Sequence, residues 1–501
     1  MKFYITTPIF YVNDKPHIGH AYAVIAADTL ARYHRMIGDE VLFITGTDEN
    51  SQKNVEAAAK LNEDVFDYVD RMSALWQLTW DELSISNNDF IRTTEDRHLK
   101  AVNKFWQAVA DRGDIYKGTY SGLYCVGCEA FYTETDLVEG RCPTHQTAPK
   151  KVEEENYFFR LSKYRAPLLK YIETHPEFIQ PETRRHEVVN YIRDHLTDIS
   201  ISRVSTKWGI AVPGDDTQAI YVWFDALINY LTAVGYGTDD ALCQKWWPAD
   251  LHVVGKDIIK FHCALWPAML MSAGLPLPKQ LFVHGYYTMN GQKISKSLGN
   301  TIDPKDLVET YGLDAVRYFL LREITFGGDG DFSIERLSVR YDADLANGLG
   351  NLISRVITLA AGRTSFSVGN NLKAEFVNCW ASYNLALINN QPHDALDAIW
   401  QILKLCDQYV DEKEPWRLTK DPAREQELLA VLGTLVEALR QIAWLLIPLL
   451  PATATKIFTA LGWPEEEKRP IHEAAQWGNQ DSAARVQKIP ALFPRLNSRE
   501  F

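Results

Sequence analysis

The fold is decided by one stretch of the chain, FYITTPIFYVNDKPHIGHAYAVIAADTLARYHRMIGDEVLFIT at residues 3–45. FYITT at 3–7 is rich in β-branched and aromatic residues, and a loop rich in Pro, Gly, Asn and Asp follows it. Apolar residues then recur at helical spacing until Gly38 ends the helix, and VLFIT at 41–45 is a second strand with the polar turn GTDEN directly after it. This order predicts a βαβ unit in a parallel sheet, with a binding crevice at the carboxyl edge of the strands.

The same order of elements returns far downstream. LHVVGKD at 251–257 is a predicted strand, the helical IIKFHCALWPAMLMSAG follows it, and QLFVHGYYT at 280–288 is a further strand. We therefore expect two halves of one α/β sheet, separated by a long insertion.

From residue 341 to 501 the sequence predicts a helical bundle, with no strand before the very end of the chain. An amphipathic stripe with steps of four and three is formed by Leu345, Leu349, Leu352, Val356 and Leu359. The later AREQELLAVLGTLVEALRQIAWLLIPLL is a second long helical segment.

Composition excludes several classes of protein. A net charge of −13 argues against non-specific nucleic-acid binding as the main activity. Seven cysteines are few and odd in number, which argues against a secreted disulfide framework and favours a reducing cytosol. IAWLLIPLLPATA at 442–454 is too short to span a bilayer, and no signal-peptide pattern precedes the first strand.

A cysteine cluster carries the strongest motif that stands without any comparison. Cys125-x2-Cys128 and Cys142-x2-His145 have the spacing of a zinc knuckle. Four ligands fill a tetrahedral site, so the predicted Zn²⁺ is structural and supplies folding energy to a short insert. Disulfides are the alternative, disfavoured by the reducing compartment and by the histidine. The scattered cysteines are predicted to be buried thiols: Cys243, Cys263, Cys379 and Cys406.

HIGH at 17–20 lies between the first strand and the first helix. Two solvated imidazoles on a loop are the simplest explanation of the four letters alone. However, a helix N-terminus offers unpaired N–H groups and a positive dipole end to a phosphate. In that context His17 and His20 would donate to phosphate oxygens, and Gly19 would let a planar base approach the backbone.

KISKS at 293–297 lies in a loop bracketed by Gly291 and Gly299. Its two lysines and two hydroxyls suit the negative charge that develops on transferring phosphates. Taken alone, the pentapeptide is better explained as a solvated lysine loop. Its combination with HIGH in one predicted sheet favours a nucleotide site.

In this order the motifs resemble those of the class I aminoacyl-tRNA synthetases and, within them, the methionyl-tRNA synthetase family. The resemblance covers nearly the whole chain and is carried by TPIFYVNDKPHIGHAY, GTDEN, YVWFDALINYL, VVGKDIIKFHCALWPAML, FVHGYYTMNGQKISKSLGN and DEKEPWRLTK. Ile294 stands where the family signature usually has Met, an apolar exchange that leaves the two lysines in place.

The resemblance implies an α/β fold: a Rossmann-like parallel-sheet catalytic domain, split by a zinc-knuckle connective insertion and followed by an all-α helical-bundle domain. The first half of the catalytic domain is expected at 1–115, and the connective insertion at 116–220, with its zinc knuckle at 125–145. The second half of the catalytic domain, with the KISKS loop, is expected at 221–340, and a helical anticodon-binding domain at 341–501. The implied activity is ATP-dependent activation of L-methionine to methionyl-adenylate, with Mg²⁺ accompanying ATP, and transfer of the methionyl group to tRNA(Met).

The resemblance also assigns site residues. Catalysis is assigned to His17, His20, Lys293 and Lys296. ATP binding is assigned to His17, Gly19, His20, Gly255, Asp257, Ile258 and Lys296. Methionine binding is assigned to Ile9, Tyr11, Asp48, Trp223, Ala226, Leu227, Tyr230 and His284. Anticodon reading is assigned to Asn351, Arg355 and Trp416.

Each assignment has a physical reason and an alternative. An aromatic, polarizable pocket suits a thioether, and one carboxylate, Asp48, suits the substrate ammonium; Trp223 and Tyr230 are equally consistent with an ordinary core. Trp416 would stack on an unpaired base. A half-buried core ring is the alternative for Trp416, and a surface salt bridge is the alternative for Arg355. Homocysteine, one methyl shorter than methionine, is the expected competitor.

Three rival functions remain. A cysteinyl-tRNA synthetase would need an open zinc position, whereas Cys3His is closed; the leucine, isoleucine and valine enzymes carry a large editing insertion for which the chain has no room. A non-catalytic tRNA- or protein-binding paralogue is disfavoured by the intact HIGH, KISKS and Asp48. Because the chain ends soon after the helical domain, we expect a monomer. The cysteine usage favours a cytoplasmic location, and the resemblance implies methionine, ATP and tRNA as partners and no membrane.

Overall fold

The computed structural model of the chain describes residues 1–125, 130–132, 134, 137–143, 146–204, 208–289, 291–294, 301–479 and 485–496. They form two compact units, which we call the sheet unit (2–16 and 42–284) and the helical unit (1, 17–41 and 285–501). Strand β1 (Lys2–Tyr11), helix α1 (Ile18–Met36) and strand β2 (Glu40–Asp48) follow one another along the chain. The predicted strand–helix–strand order is confirmed.

Strand β2 is longer than the sequence predicts. It pairs in parallel with the next strand, and Gly46 and Thr47 lie opposite Ile91 and Arg92. A Cβ atom on Gly46 would lie 2.0 Å from the Ile91 carbonyl oxygen, so only glycine lets the two strands approach this closely. The prediction that a turn begins at Gly46 is therefore wrong.

The sheet unit contains eleven further strands among its described residues. They are β3 Asp89–Arg92, β4 Ile115–Cys125, β5 Ala130–Tyr132, β6 Lys150–Phe159, β7 Ile179–Gln180, β8 Ile199–Ser200, β9 Ser202–Arg203, β10 Ala211–Val212, β11 Asp215–Ile220, β12 Leu251–Gly255 and β13 Leu281–His284. Its helices are α2 Gln52–Lys60, α3 Val65–Glu82, α4 Asp96–Asp111, α5 Arg165–Thr174, α6 Glu182–His195, α7 Val222–Ala226, α8 Asn229–Thr232, α9 Asp240–Trp246 and α10 Trp266–Ala273.

Six strands form the main sheet, in the order β3-β2-β1-β12-β13-β7. Strand β12 pairs in parallel with β1 on one side and with β13 on the other, with Ile5 opposite Leu251. Strands from the two distant sequence halves therefore meet at the centre of one sheet, as predicted, and their carboxyl ends share one edge. Between the halves, β4 and β6 form a long antiparallel ladder from Ile115–Phe159 to Tyr124–Lys150.

Aromatic packing fills the core of the sheet unit. Along α4, the buried Ala101, Val102, Phe105, Trp106 and Val109 recur at helical spacing. The Phe105 ring lies 6.1 Å from the rings of both Phe224 and Trp266. These rings anchor α10 and α7 to the same core, and α7 carries the candidate site residues Trp223 and Ala226.

Two downstream predictions need correction. The stretch 280–288 is not one strand: β13 ends at His284, and β14 (Tyr287–Met289) belongs to a different sheet. The break lies at Gly285, where a Cβ atom would be 2.1 Å from the Gly328 carbonyl oxygen. The predicted helix after β12 is not a continuous α-helix. A 3-10 turn, Lys256–Ile258, comes first, and a π-helical turn, Phe261–Leu265, follows it; Pro267 lacks an N–H and its ring crowds the carbonyl four residues earlier.

The helical unit contains α1 and strands β14, β15 (Gln292–Lys293) and β16 (Gly330–Phe332). Its remaining α-helices among the described residues are α11 Pro304–Tyr311, α12 Leu313–Arg322, α13 Ile334–Arg340, α14 Asn351–Ala360, α15 Lys373–Ile388, α16 Pro392–Lys413, α17 Pro415–Leu418, α18 Glu425–Leu446, α19 Pro451–Leu461 and α20 Ile471–Ala474. A π-helix, Tyr341–Gly350, lies between α13 and α14. The predicted leucine stripe is confirmed as a core face, with Leu345, Leu349, Leu352 and Val356 buried and Leu359 partly buried. No strand occurs in the described parts of 341–496.

A buried ion pair ties α1 to the helical bundle. The Arg317 guanidinium lies 2.8 Å from the Asp28 carboxylate of α1, and both side chains are fully buried. Arg317 also donates to the carbonyls of Pro448 and Leu449, beyond the end of α18. The helical segment Pro422–Leu446 is long and apolar enough to cross a membrane, but 89% of its most apolar window is buried inside the protein, as in a core helix.

Candidate active site

The two histidines of HIGH cap helix α1. Nδ1 of His17 accepts from the Gly19 N–H at 3.1 Å, and Nδ1 of His20 accepts from the His17 N–H at 3.2 Å. This reciprocal arrangement is a capping box built from histidines, and the two rings stack with centroids 3.7 Å apart. Because each Nδ1 accepts, the ring proton of each neutral imidazole lies on Nε2, which is therefore a donor.

The end of the lysine loop approaches this cap. The Ile18 N–H, in the first turn of α1, donates to the Ile302 carbonyl at 3.0 Å. Residues 295–300, including Lys296, lie outside the described residues. On the other side of that segment, Lys293 lies on β15 opposite Thr288, and the Ile294 side chain is buried. The segment that follows KISKS is therefore a neighbour of HIGH, and the convergence of the KISKS lysines with the two histidines stays a prediction.

In the sheet unit, several predicted methionine-binding residues form an aromatic cluster. The Trp223 ring lies 6.5 Å from Tyr11 and stacks flat on Phe261, with centroids 4.0 Å apart. Tyr230 is buried, and its hydroxyl lies 2.8 Å from Nε2 of His262. Ala226, the last residue of α7, and Leu227, which follows it, are both buried, and Ile9 is half-buried on β1. Phe261 and His262 complete the cluster, although the sequence analysis did not select them.

Hydrogen bonding fixes the protonation of this cluster. Nδ1 of His262 lies 3.2 Å from the Ile258 carbonyl, which only accepts, so Nε2 accepts from the Tyr230 hydroxyl. Burial lowers the pKa of His262 to about 4 and raises the pKa of Tyr230, so both stay neutral near pH 7. The indole N–H of Trp223 is buried and has no hydrogen-bond partner among the residues that the structure describes.

Asp48 ends β2 and is 3% exposed. Its backbone carbonyl accepts from the buried Asn54 side chain at 3.0 Å, which holds the strand end in place. Lys53, nearby on α2, lies over the Tyr11 ring at 4.4 Å from the ring centroid. A buried carboxylate at the carboxyl edge of a parallel sheet is a suitable site for a cationic substrate group.

A buried polar network supports the loop after Asp48. The Asp225 carboxylate accepts from the Asn50 side chain and lies 2.7 Å from Nε2 of His98. Glu49 forms a two-pronged ion pair with Arg92. No sequence pattern predicts this network, because its members come from distant parts of the chain; the only local signal is the acidic GTDEN segment.

Three predicted nucleotide-binding positions lie around the end of β12. Gly255 is opposite His284 of β13. A Cβ atom on Gly255 would lie 2.7 Å from Oδ1 of Asp257, so the glycine leaves room for that carboxylate to fold back over the strand end. Gly255, Asp257 and Ile258 are thus grouped, with His284 beside them.

Two of the four predicted zinc ligands can be described. Cys125 ends β4 and is buried, and Cys142 is also buried. The Cys142 N–H donates to the Thr147 carbonyl and its own carbonyl accepts from Gln146, which closes a tight turn. Cys128 and His145 lie outside the described residues, and in the part that is described no three His, Cys, Asp or Glu side chains are grouped to hold a metal. Of the scattered cysteines, Cys263, Cys379 and Cys406 are buried as predicted, whereas Cys243 is only partly buried.

The predicted anticodon readers lie together in the helical unit. Asn351 is exposed at the start of α14, and Arg355 follows one turn later. The Arg355 guanidinium pairs with Asp411 at 2.9 Å and lies 5.7 Å from the centroid of the Trp416 ring, which is 36% exposed. The salt bridge given above as the alternative for Arg355 is present, and the Arg355 side chain is 31% exposed, so neither it nor Trp416 is fully buried.

Comparison with known proteins first defines the class. A family profile described as "tRNA synthetases class I (M)" matches residues 3–151 and 135–357, so the chain is a member of the class I tRNA synthetases. The methionine–tRNA ligase of Thermotoga maritima is 45% identical over all of this chain and 81% of that relative. The Streptomyces coelicolor methionine–tRNA ligase is 41% identical over 99% of this chain and 97% of its own length.

A solved structure agrees with the sequence relatives. Mycobacterium tuberculosis methionyl-tRNA synthetase, in complex with methionyl-adenylate, matches with a TM-score of 0.94 at 40% identity, over 99% of this chain and 100% of that one. The chain therefore belongs to the methionyl-tRNA synthetase family.

Proposed function

We propose that this protein activates L-methionine with ATP and transfers the methionyl group to tRNA(Met). The observation that carries the proposal is the neutral, aromatic Trp223–Phe261–Tyr230–His262 cluster. It occurs in a chain whose structural neighbour was solved with methionyl-adenylate. A thioether is polarizable and forms only weak hydrogen bonds, so flat aromatic rings and neutral polar groups suit it better than charges do.

In the first step, a methionine carboxylate oxygen attacks the α-phosphorus of ATP, the bond to the β-phosphate oxygen breaks, and pyrophosphate leaves. The carboxylate is already a nucleophile, so positioning and charge stabilisation suffice. His17 and His20 would donate from Nε2 to phosphate oxygens, and their neutral tautomers support that role. Lys293 and Lys296 would stabilise the leaving pyrophosphate, and Gly255, Asp257 and Ile258 would hold the adenosine.

In the second step, a hydroxyl of the terminal adenosine of tRNA attacks the methionyl carbonyl, and AMP leaves. Asn351, Arg355 and Trp416 would read the anticodon, with Trp416 stacking on an unpaired base. Recognition by a few such groups is compatible with the net charge of −13, which disfavours broad electrostatic RNA binding. Mg²⁺ would enter with ATP as part of the substrate.

We further propose a structural zinc site formed by Cys125, Cys128, Cys142 and His145. The two described ligands fit the ion: both are buried, and a backbone turn closes over Cys142. When bound, zinc would fix the two turns of the knuckle relative to each other. Expected content is one zinc per chain, lost when Cys142 is replaced by Ser; full activity in a metal-free protein would contradict a structural role.

For localisation and assembly we propose a cytoplasmic monomer divided into the four domains given above. The buried thiols support a reducing compartment. Analytical ultracentrifugation at several concentrations tests the monomer, for which we expect a single species of 57.1 kDa.

The activity is tested by amino-acid-dependent exchange of radiolabelled pyrophosphate into ATP. Methionine should support exchange, whereas cysteine, valine, leucine and isoleucine should not, and homocysteine should support weak exchange. Exchange driven by cysteine would favour the cysteinyl alternative. Absence of exchange with every amino acid, together with tRNA binding, would favour the non-catalytic alternative.

A further inference from the structure

A short hairpin leads into the lysine loop. Strand β14 pairs with β15, with Met289 opposite Gln292 and Thr288 opposite Lys293. The first lysine of KISKS is therefore part of the β15 ladder, and the orientation of the hairpin decides where the following residues begin. Gly291, directly before β15, has a positive φ of +73°, which glycine adopts without a steric penalty.

One carboxylate binds both the first strand and the turn of this hairpin. Oδ1 of Asp331 accepts from the Thr288 hydroxyl at 2.7 Å and from the Gly291 N–H at 2.9 Å. Thr288 is the residue paired with Lys293, and Gly291 lies in the turn. A single oxygen thus joins the turn to the strand, and a charged acceptor makes both hydrogen bonds stronger than neutral ones.

The segment that carries Asp331 is itself firmly placed. Strand β16 pairs in parallel with β14, with Thr288 opposite Asp331. Two residues earlier, Oδ1 of Asp329 accepts from the Tyr286 N–H at 2.9 Å, at the entrance to β14. Asp329 therefore binds the hairpin just before its first strand, and Asp331 binds it at its turn.

The same segment reaches the helix that carries HIGH. Phe326 is buried and meets Tyr22 of α1 edge-on, with centroids 5.6 Å apart. Tyr22 also meets Tyr287 of β14 edge-on at 5.0 Å. Tyr22 lies two residues after His20. Through Tyr22, the helix that carries HIGH therefore packs directly against β14 of the hairpin within the helical unit.

We infer that Asp331 is a positioning residue for methionine activation: by binding Thr288 and Gly291, it holds the β14–β15 hairpin in the orientation from which the KISKS lysines reach the phosphates. The inference rests on the proposed function and adds to it a residue outside HIGH and KISKS. Asp331 acts through the hairpin. It therefore affects only the step in which pyrophosphate leaves, since the transfer step contains no pyrophosphate.

The test compares Asp331→Ala with Asp331→Asn in the full-length protein. Ala removes the acceptor oxygen, and a misplaced hairpin should lower the rate of methionine-dependent exchange by about 100-fold. Asn keeps an acceptor oxygen and should recover most of that loss. KM for methionine should stay at the wild-type value. The matched control is Asp342→Ala, which removes an exposed carboxylate in the neighbouring helical segment and should leave exchange unchanged.

A second measurement separates positioning from a general structural defect. Methionyl-adenylate formed slowly by Asp331→Ala is isolated on the enzyme and chased with tRNA; transfer should proceed at the wild-type rate. Equal loss of activation and transfer, or a full exchange rate in Asp331→Ala, would overturn the inference. If that variant does not fold, Thr288→Val removes one of the two bonds and should still slow activation but not transfer. A wild-type protein without exchange would refute the proposed function itself, whereas an active wild type with an equally active Asp331→Ala would refute the positioning role alone.

Discussion

Replacing Asp48 by Asn should weaken methionine binding strongly while leaving ATP binding unchanged. Asp48 is 3% exposed at the end of β2. Asn nearly preserves its shape but removes the negative charge assigned to the substrate ammonium. Breaking one partner of a buried charge pair costs about 2–5 kcal/mol. At about 1.4 kcal/mol per factor of ten, KM for methionine should rise by roughly 30- to 5000-fold.

The assay is pyrophosphate exchange at varied methionine and at varied ATP. The matched control is Asp81→Asn, which removes an exposed carboxylate on α3 and should change neither KM. The 2-hydroxy analogue of methionine, which lacks the ammonium, provides a second test as a competitive inhibitor. Its inhibition constant should be similar for wild type and Asp48→Asn, because the analogue has no ammonium group and so makes no ion pair with Asp48 in either protein. An unchanged KM for methionine, or an equal loss of affinity for the analogue, would refute the assignment.

Three further predictions follow from buried groups and from the helical unit. Arg317→Met should lower the free energy of unfolding by about 1–3 kcal/mol, because the buried Asp28 carboxylate loses one guanidinium partner and keeps another, Arg32; denaturant titration measures this, and an unchanged free energy of unfolding would contradict it. His262 has a folded pKa of about 4, below its ordinary 6.5, so the unfolded chain takes up a proton first as the pH falls. The contribution of His262 to the free energy of unfolding is full above pH 6.5 and should fall by about 3 kcal/mol as the pH is lowered towards 4. In His262→Gln, the free energy of unfolding should therefore depend less steeply on pH over this range. Trp416→Ala should lower kcat/KM for tRNA by roughly 5- to 150-fold, because base stacking contributes about 1–3 kcal/mol, and it should not alter pyrophosphate exchange. A kcat/KM for tRNA equal to that of the wild type would exclude a stacking role.

The local parts of the fold were predictable because they depend on spacing along the chain. The order β1, α1, β2 follows from β-branched runs and helical periodicity. The buried leucine stripe from Leu345 onward follows from apolar residues at steps of four and three, although its first part, Tyr341–Gly350, is a π-helix. The break at Gly285 was not predictable, because the apolar run on both sides reads as one strand. It is the close approach of Gly328, far along the chain, that divides the run.

The candidate site shows the same division. HIGH and KISKS were visible as motifs, but a motif does not reveal that His17 and His20 cap their own helix through Nδ1. His98 and Asp225 meet across more than a hundred residues of chain, and no periodicity links them. His262 was overlooked because a histidine within an apolar helical pattern reads as a core residue, and only its contact with the Tyr230 hydroxyl distinguishes it.

The central claim is that this chain joins methionine to AMP and then to tRNA. The most direct measurement is a single-turnover reaction with enzyme in excess over α-³²P-labelled ATP, followed by a chase with tRNA(Met). Labelled aminoacyl-adenylate should accumulate on the enzyme only when methionine is present, and the chase should convert it to free AMP and methionyl-tRNA in equal amounts. Adenylate formed without methionine, or none formed with it, would show that this chain does not activate methionine.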